Sequence, residues 1–112
     1  VAEIITGAPA YILRAIAITE SNENDDAVGD DGISRGRMQL NELYHDERVM
    51  KYGKYDPHNS LDSVIIAGFL FMDNLNRLGD VDKAIAAHRQ GVSGVKEHGD
   101  TEWYVKRVKS NL

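Results

Sequence analysis

The chain has 112 residues, 42% of them hydrophobic and 28% charged, with a formal net charge of -5 and a pI near 5.2. That is enough chain for one core and an ordinary balance for a folded domain, and it offers no basic field for nucleic acid or an anionic membrane. The absence of cysteine excludes disulfides, thiolate metal sites and a cysteine nucleophile, and no apolar run reaches the ~18 residues of a membrane span.

Residues 1–112 read as one domain, without repeat, linker or low-complexity tract. The chain opens on Val1 with no signal-peptide pattern, which allows a processed or trimmed piece of a longer product. Pro9 suits a first helical turn, and Tyr11, Ile12, Ala15, Ile16 and Thr19 follow at helical spacing, predicting a helix over about 9–22. Residues 24–37 carry Asp25, Asp26, Gly29, Asp30, Asp31, Gly32 and Gly36, a composition for a loop or small hairpin. Asn41 is a cap for a helix running to about Tyr52, which Gly53 ends. Ser60 is read as the cap of the most apolar helix, about 61–78, whose apolar residues on nearly all sides predict a central, buried position. Gly79 stops it. Asp80 caps the next helix, "VDKAIAAHRQ", which Gly91 ends; "GVSGVKEHG" is a connection with one turn at most. Asp100 caps the last helix, with Trp103, Tyr104, Val105 and Val108 available for packing. The fold class is mainly α, with five to six helices around a central helix and a polar insert.

Glu20 is the residue that needs explaining. It lies four residues after Ile16 and eight after Ile12, so it projects from the buried stripe of its helix where the stripe meets the polar insert. Partial desolvation of a carboxyl favours its protonated form, the state that a general acid needs. The insert that follows is expected to form the facing lip of a cleft.

The block Glu20-Ser21, Gly29-Asp30, Gly32, Ser34, Gly36, Met38-Gln39-Leu40 resembles the signature of the lysozyme-like superfamily, and more narrowly that of lytic transglycosylases of the soluble-lytic type and goose-type lysozymes. Farther on, "AIAAHRQG" (Ala84 to Gly91) keeps the spacing of the family's Ala-x-x-Ala-Tyr-Asn-x-Gly, with His88-Arg89 in place of Tyr-Asn. The resemblance implies a lysozyme-like α+β fold and an enzyme acting on the GlcNAc/MurNAc strands of peptidoglycan, with no cofactor and no metal. It implies Glu20 as acid and then base, giving 1,6-anhydro products. It also implies saccharide-facing roles for Ser21, Ser34, Gly36, Met38, Gln39, His88 and Arg89. Met38 is expected to pack in the core and hold Gln39 from behind, and the glycines to let backbone approach the sugar.

A hydrolase that inverts needs a second carboxylate about 6.5–9.5 Å from the first to hold water. Asp30 is that candidate, in the alternative of a goose-type lysozyme. The family's further Asp after Met-Gln-aliphatic is Asn41 here, which cannot act as a base. A non-catalytic saccharide-binding module is the other alternative. Arg35 and Arg37 are read either as contacts for peptide-stem carboxylates or as surface charges. A monomer working in the periplasm, outside the cell or at the cell wall is expected, with a phage lysin as one origin.

Overall fold

The computed structural model describes residues 1–99 and 102–112, so the cap expected at Asp100 lies outside the described residues. Helix α1 (Ala2–Thr6) is followed by α2 (Ala10–Ser21), a small sheet β1 (Val28–Gly29), β2 (Ser34–Arg35) and β3 (Leu40–Asn41), then α3 (His45–Tyr52), α4 (Ser60–Leu78), α5 (Val81–His98) and α6 (Glu102–Ser110). The architecture is the mainly helical, lysozyme-like α+β class, and none of its described helices is long and apolar enough to cross a membrane.

Helix α1 has no counterpart in the sequence pattern. Five residues are too few to be stable alone, and this turn exists because it packs on α4. Gly68 of α4 makes the crossing possible: a Cβ there would lie 2.4 Å from Thr6 Oγ1. Glu3 then helps start α2, accepting the Ala10 amide at 3.0 Å where Pro9 offers no side-chain cap. Helix α2 buries Ile12, Leu13, Ala15, Ile16 and Ala17. It stops sharply because Asn22 and Glu23 both take left-handed backbone, with their amides returned to Ile18 and Ala17 carbonyls. Glu20 and Ser21 therefore occupy its last turn.

The insert is a three-stranded antiparallel sheet in the order β1-β2-β3, pairing Gly29 with Ser34 and Ser34 with Asn41. Asn41 serves twice. Its backbone belongs to β3, and its side chain accepts the Leu43 amide at 2.9 Å to start a 3-10 turn that leads into α3.

Helix α4 is the long central element, packed against α1, α2 and α5. Its cap is Asn59 rather than Ser60: the Asn59 carboxamide accepts the Asp62 amide at 3.0 Å. Gly79 ends it in the left-handed region and Asp80 caps α5, accepting from Asp82 and Lys83. Gly91 breaks the α5 helix at φ 76 and ψ 164, yet the chain resumes helical geometry as far as His98, where one turn at most was expected. Burial of Val95 gives the second segment a face to pack. Helix α6 packs on α2 and α5, burying Tyr104, Val105 and Val108. Trp103, expected in the packing, is instead 53% exposed. It lies one residue, about 100° of helix, away from Tyr104.

Candidate active site

The last turn of α2 brings Glu20 to the junction of three elements. Its side chain is 15% exposed, and its Oε2 accepts the Tyr104 hydroxyl from α6 at 2.7 Å. Tyr104 is 1% exposed. Burial pushes its phenol far above the usual range, the adjacent Glu20 charge adds to that, and Arg89 works against it. The hydroxyl therefore remains a donor to the carboxyl throughout the neutral range. His88 of α5 approaches the same oxygen, with Nε2 at 3.8 Å and a side chain only 6% exposed. That nitrogen is also 2.7 Å from the Met38 carbonyl. A carbonyl only accepts, so Nε2 carries the hydrogen. His88 thus ties the loop before β3 to the helix facing it, directly beside Glu20.

A cleft of about 220 Å³ opens in front of these groups, lined by Glu20, Asp30, Ser34, Gln39, Asn41 and His88, with Arg89 and Gln90 at its side. The sheet supplies one wall. Ser34 Oγ donates to Asp30 Oδ2 at 2.6 Å, holding that carboxylate in the left-handed turn after β1. The Gln39 amide donates to the Gly36 carbonyl at 2.9 Å and to that of Ala27 at 3.3 Å, so the side chain is fixed across the sheet. Gly29 leaves room for it: a Cβ there would lie 2.5 Å from Gln39 Oε1.

Three residues with expected saccharide-facing roles stand behind this wall. The Ser21 hydroxyl donates to the Arg37 carbonyl at 2.7 Å and receives the Asn24 amide at 3.1 Å, fastening the end of α2 to the loop. Met38 is fully buried, and a side chain of that size contributes about 1.5–3 kcal/mol by leaving water. It anchors the same loop from inside. Gly36 faces the backbone of Pro57, with room for no side chain between them. The glycine at this position serves a close approach of two chain segments.

The arginines divide likewise. Arg37 holds Asp25 at 2.9 Å, and Arg35 donates to the Gly32 carbonyl at 3.0 Å, so both brace the insert. Arg89 lies over the cleft side of α6, its guanidinium 4.9 Å from the Trp103 ring centre and 5.9 Å from that of Tyr104. Tyr104 is the neighbour of Glu20 that sequence pattern alone missed, being read as packing. A tyrosine on a buried helix face needs a partner for its hydroxyl, which is the signal that could have paired it with Glu20.

A typical hydrogen bond contributes about 0.5–1.5 kcal/mol, and this one orients the carboxyl. Tyr104→Phe is expected to lower kcat about tenfold with KM little changed. Steady-state kinetics check this; an unchanged kcat removes Tyr104 from the groups that orient Glu20.

Helices around a small antiparallel sheet, with a glutamate ending a buried helix at the mouth of the cleft between them, define a lysozyme-like domain. The Transglycosylase SLT domain family matches residues 2–107, nearly the whole chain, and the chain belongs to that family. No curated protein gives a significant sequence match. Family membership makes this a lysozyme-like enzyme domain of the type that cleaves glycosidic bonds of peptidoglycan.

Proposed function

We propose that the protein is a lytic transglycosylase acting on the MurNAc-β-1,4-GlcNAc bond, with Glu20 as its single acid and base. Glu20 gives its proton to the GlcNAc oxygen as the bond to the muramyl C1 breaks. The muramyl 6-hydroxyl then bonds to C1, and its proton returns to Glu20. The balance is complete without water, and the product carries a 1,6-anhydro ring.

One observation carries this reading: Glu20 is held by Tyr104 at the cleft, while the position after Met38-Gln39-Leu40 is Asn41, which has no basic carboxylate. The second reading is hydrolysis with Asp30 as base. It draws support from Asp30 lining the same cleft, with its carboxylate held by Ser34. Action at the cell wall follows from either chemistry.

Mass spectrometry of muropeptides released from purified peptidoglycan separates the two. Anhydro ends, lighter by one water, are expected. Reducing ends favour the hydrolase, and no products favour a binding module. Asp30→Asn sharpens the distinction, because asparagine still accepts the Ser34 hydroxyl. The variant is expected to lose less than about tenfold in rate and to keep the anhydro product. A loss of ~10²-fold or more, the scale of a positioned acid or base, would assign Asp30 a catalytic role.

A further inference from the structure

The cleft in front of Glu20 is polarised. Its sheet wall carries Asp30, whose carboxylate takes the Ser34 hydroxyl, and its helical wall carries Arg89. Arg89 stands where the family's motif has asparagine, so the spacing from Ala84 to Gly91 is kept and a cation is added beside the acid.

That cation is placed by aromatic rings. Its guanidinium lies 4.9 Å from the Trp103 ring centre and 5.9 Å from that of Tyr104, inside the ~6 Å of a cation–π contact. Its charge opposes the effects of burial and of Glu20 on the Tyr104 phenol. Among the described residues it forms no salt bridge and donates no hydrogen bond. A guanidinium held over a ring keeps its in-plane N–H fork available, and holding it in advance reduces the side-chain freedom lost when a ligand binds. A neutral sugar uses neither the charge nor the fork. A carboxylate uses both, through paired charge-assisted hydrogen bonds.

The position of Arg89 says which carboxylate. The Arg89–Tyr104 stack and the Tyr104–Glu20 hydrogen bond, 2.7 Å long, join the guanidinium directly to the acid. The anion therefore belongs to a sugar at the scissile bond and not to the far end of a branch. In a GlcNAc/MurNAc strand the 3-O-lactyl group of the muramyl residue meets this condition. It is a free carboxylate when no peptide is attached and a neutral amide when one is. We infer that Arg89 selects strands whose lactyl group is free, so that this cleft binds stem-free strands better than stem-bearing ones. The inference rests on the peptidoglycan reading above. Asp30 on the opposite wall repels the same group, which turns the lactyl substituent towards α5 and α6. The reaction that supplies such strands is hydrolysis of the amide between lactyl group and stem. Water cleaves that bond, the peptide leaves with the amine, the sugar keeps the carboxylate, and this domain acts afterwards.

The test uses binding, so it does not depend on turnover. Glu20→Gln protein is titrated at low salt with three ligands. These are stem-free strands made from purified peptidoglycan with an amidase, the same strands with their lactyl carboxylates capped as methylamides, and stem-bearing strands. One exposed ion pair predicts about fivefold tighter binding to the free carboxylate than to the capped one, a difference that fades as salt is raised. Arg89 is exposed, so its replacement leaves the core intact. In the double variant Glu20→Gln/Arg89→Asn, which restores the family's residue, free and capped strands should bind alike, with circular dichroism unchanged. Equal binding of the two before Arg89 is replaced overturns the inference, as does a preference that survives the replacement. Stem-bearing strands that bind as tightly as stem-free ones, through Arg89, overturn the assignment to the lactyl group. Wild-type protein that releases no muropeptides, with the carboxylate preference intact, sinks the catalytic reading alone. Release without that preference sinks the role of Arg89 alone.

Discussion

Replacing Glu20 by glutamine is expected to lower muropeptide release by at least about 10²-fold, because a positioned acid or base contributes ~10²–10⁴-fold. The fold should survive. The amide keeps the volume of the carboxyl, and its oxygen still accepts the Tyr104 hydroxyl that now lies 2.7 Å from Oε2. His88 keeps its bond to the Met38 carbonyl and so keeps the loop in place. What is lost is the transferable proton alone. Release measured by mass spectrometry should collapse, while the melting temperature and sedimentation with insoluble peptidoglycan stay near those of the wild type. A variant retaining more than about a hundredth of the rate would show that Glu20 is not the acid. A variant that loses binding and stability together would make Glu20 a structural residue.

Much of what positions Glu20 is local, and for that reason legible. The repeat that sets Ile12, Ile16 and Glu20 on one helix face is a property of a few turns of chain. So is the Gly79-Asp80 boundary, where a left-handed residue and a side-chain cap lie next to each other. The illegible parts depend on residues far apart. Helix α1 exists because Thr6 meets Gly68. Tyr104 reaches Glu20 across 84 positions and His88 reaches Met38 across 50, and no periodicity marks either pair. Ser21 shows the same limit. Its place after the glutamate suggested a role towards substrate, whereas its partner is the Arg37 carbonyl, 16 residues on. Gly91 misled for another reason. The break it signals is real, but a tertiary contact through Val95 restarts the helix beyond it.

Gly36→Ala is expected to be the most destabilising single change in the site. Gly36 has φ +78, and a Cβ there would lie 1.8 Å from the Pro57 carbonyl oxygen and 2.7 Å from its carbon. Both obstacles are backbone, so no side chain can swing aside. The loop cannot easily retreat either. The Gly36 amide donates to Ala27 at 2.8 Å, while its carbonyl accepts the Gln39 amide nitrogen at 3.0 Å and the Gln39 side chain at 2.9 Å. Left-handed backbone costs a non-glycine residue about 1–2 kcal/mol, and forced overpacking adds about 1–3 kcal/mol. For a domain of this size each kcal/mol lowers the melting temperature by roughly 4 °C or more, which predicts a fall of about 10–20 °C. Gly32→Ala is the matched control. Gly32 has φ +92 but nothing within 4 Å of an added Cβ, so only the backbone strain applies and the loss should stay near 1–2 kcal/mol. Thermal and denaturant unfolding of the two variants separates strain from collision. If the two fall equally, the approach to Pro57 yields without cost. If Gly36→Ala alone drops steeply, activity should fall with it below the melting transition. The loop that moves carries the Arg37 carbonyl that holds Ser21, the Met38 carbonyl that holds His88, and the Gln39 side chain that lines the cleft opposite Glu20.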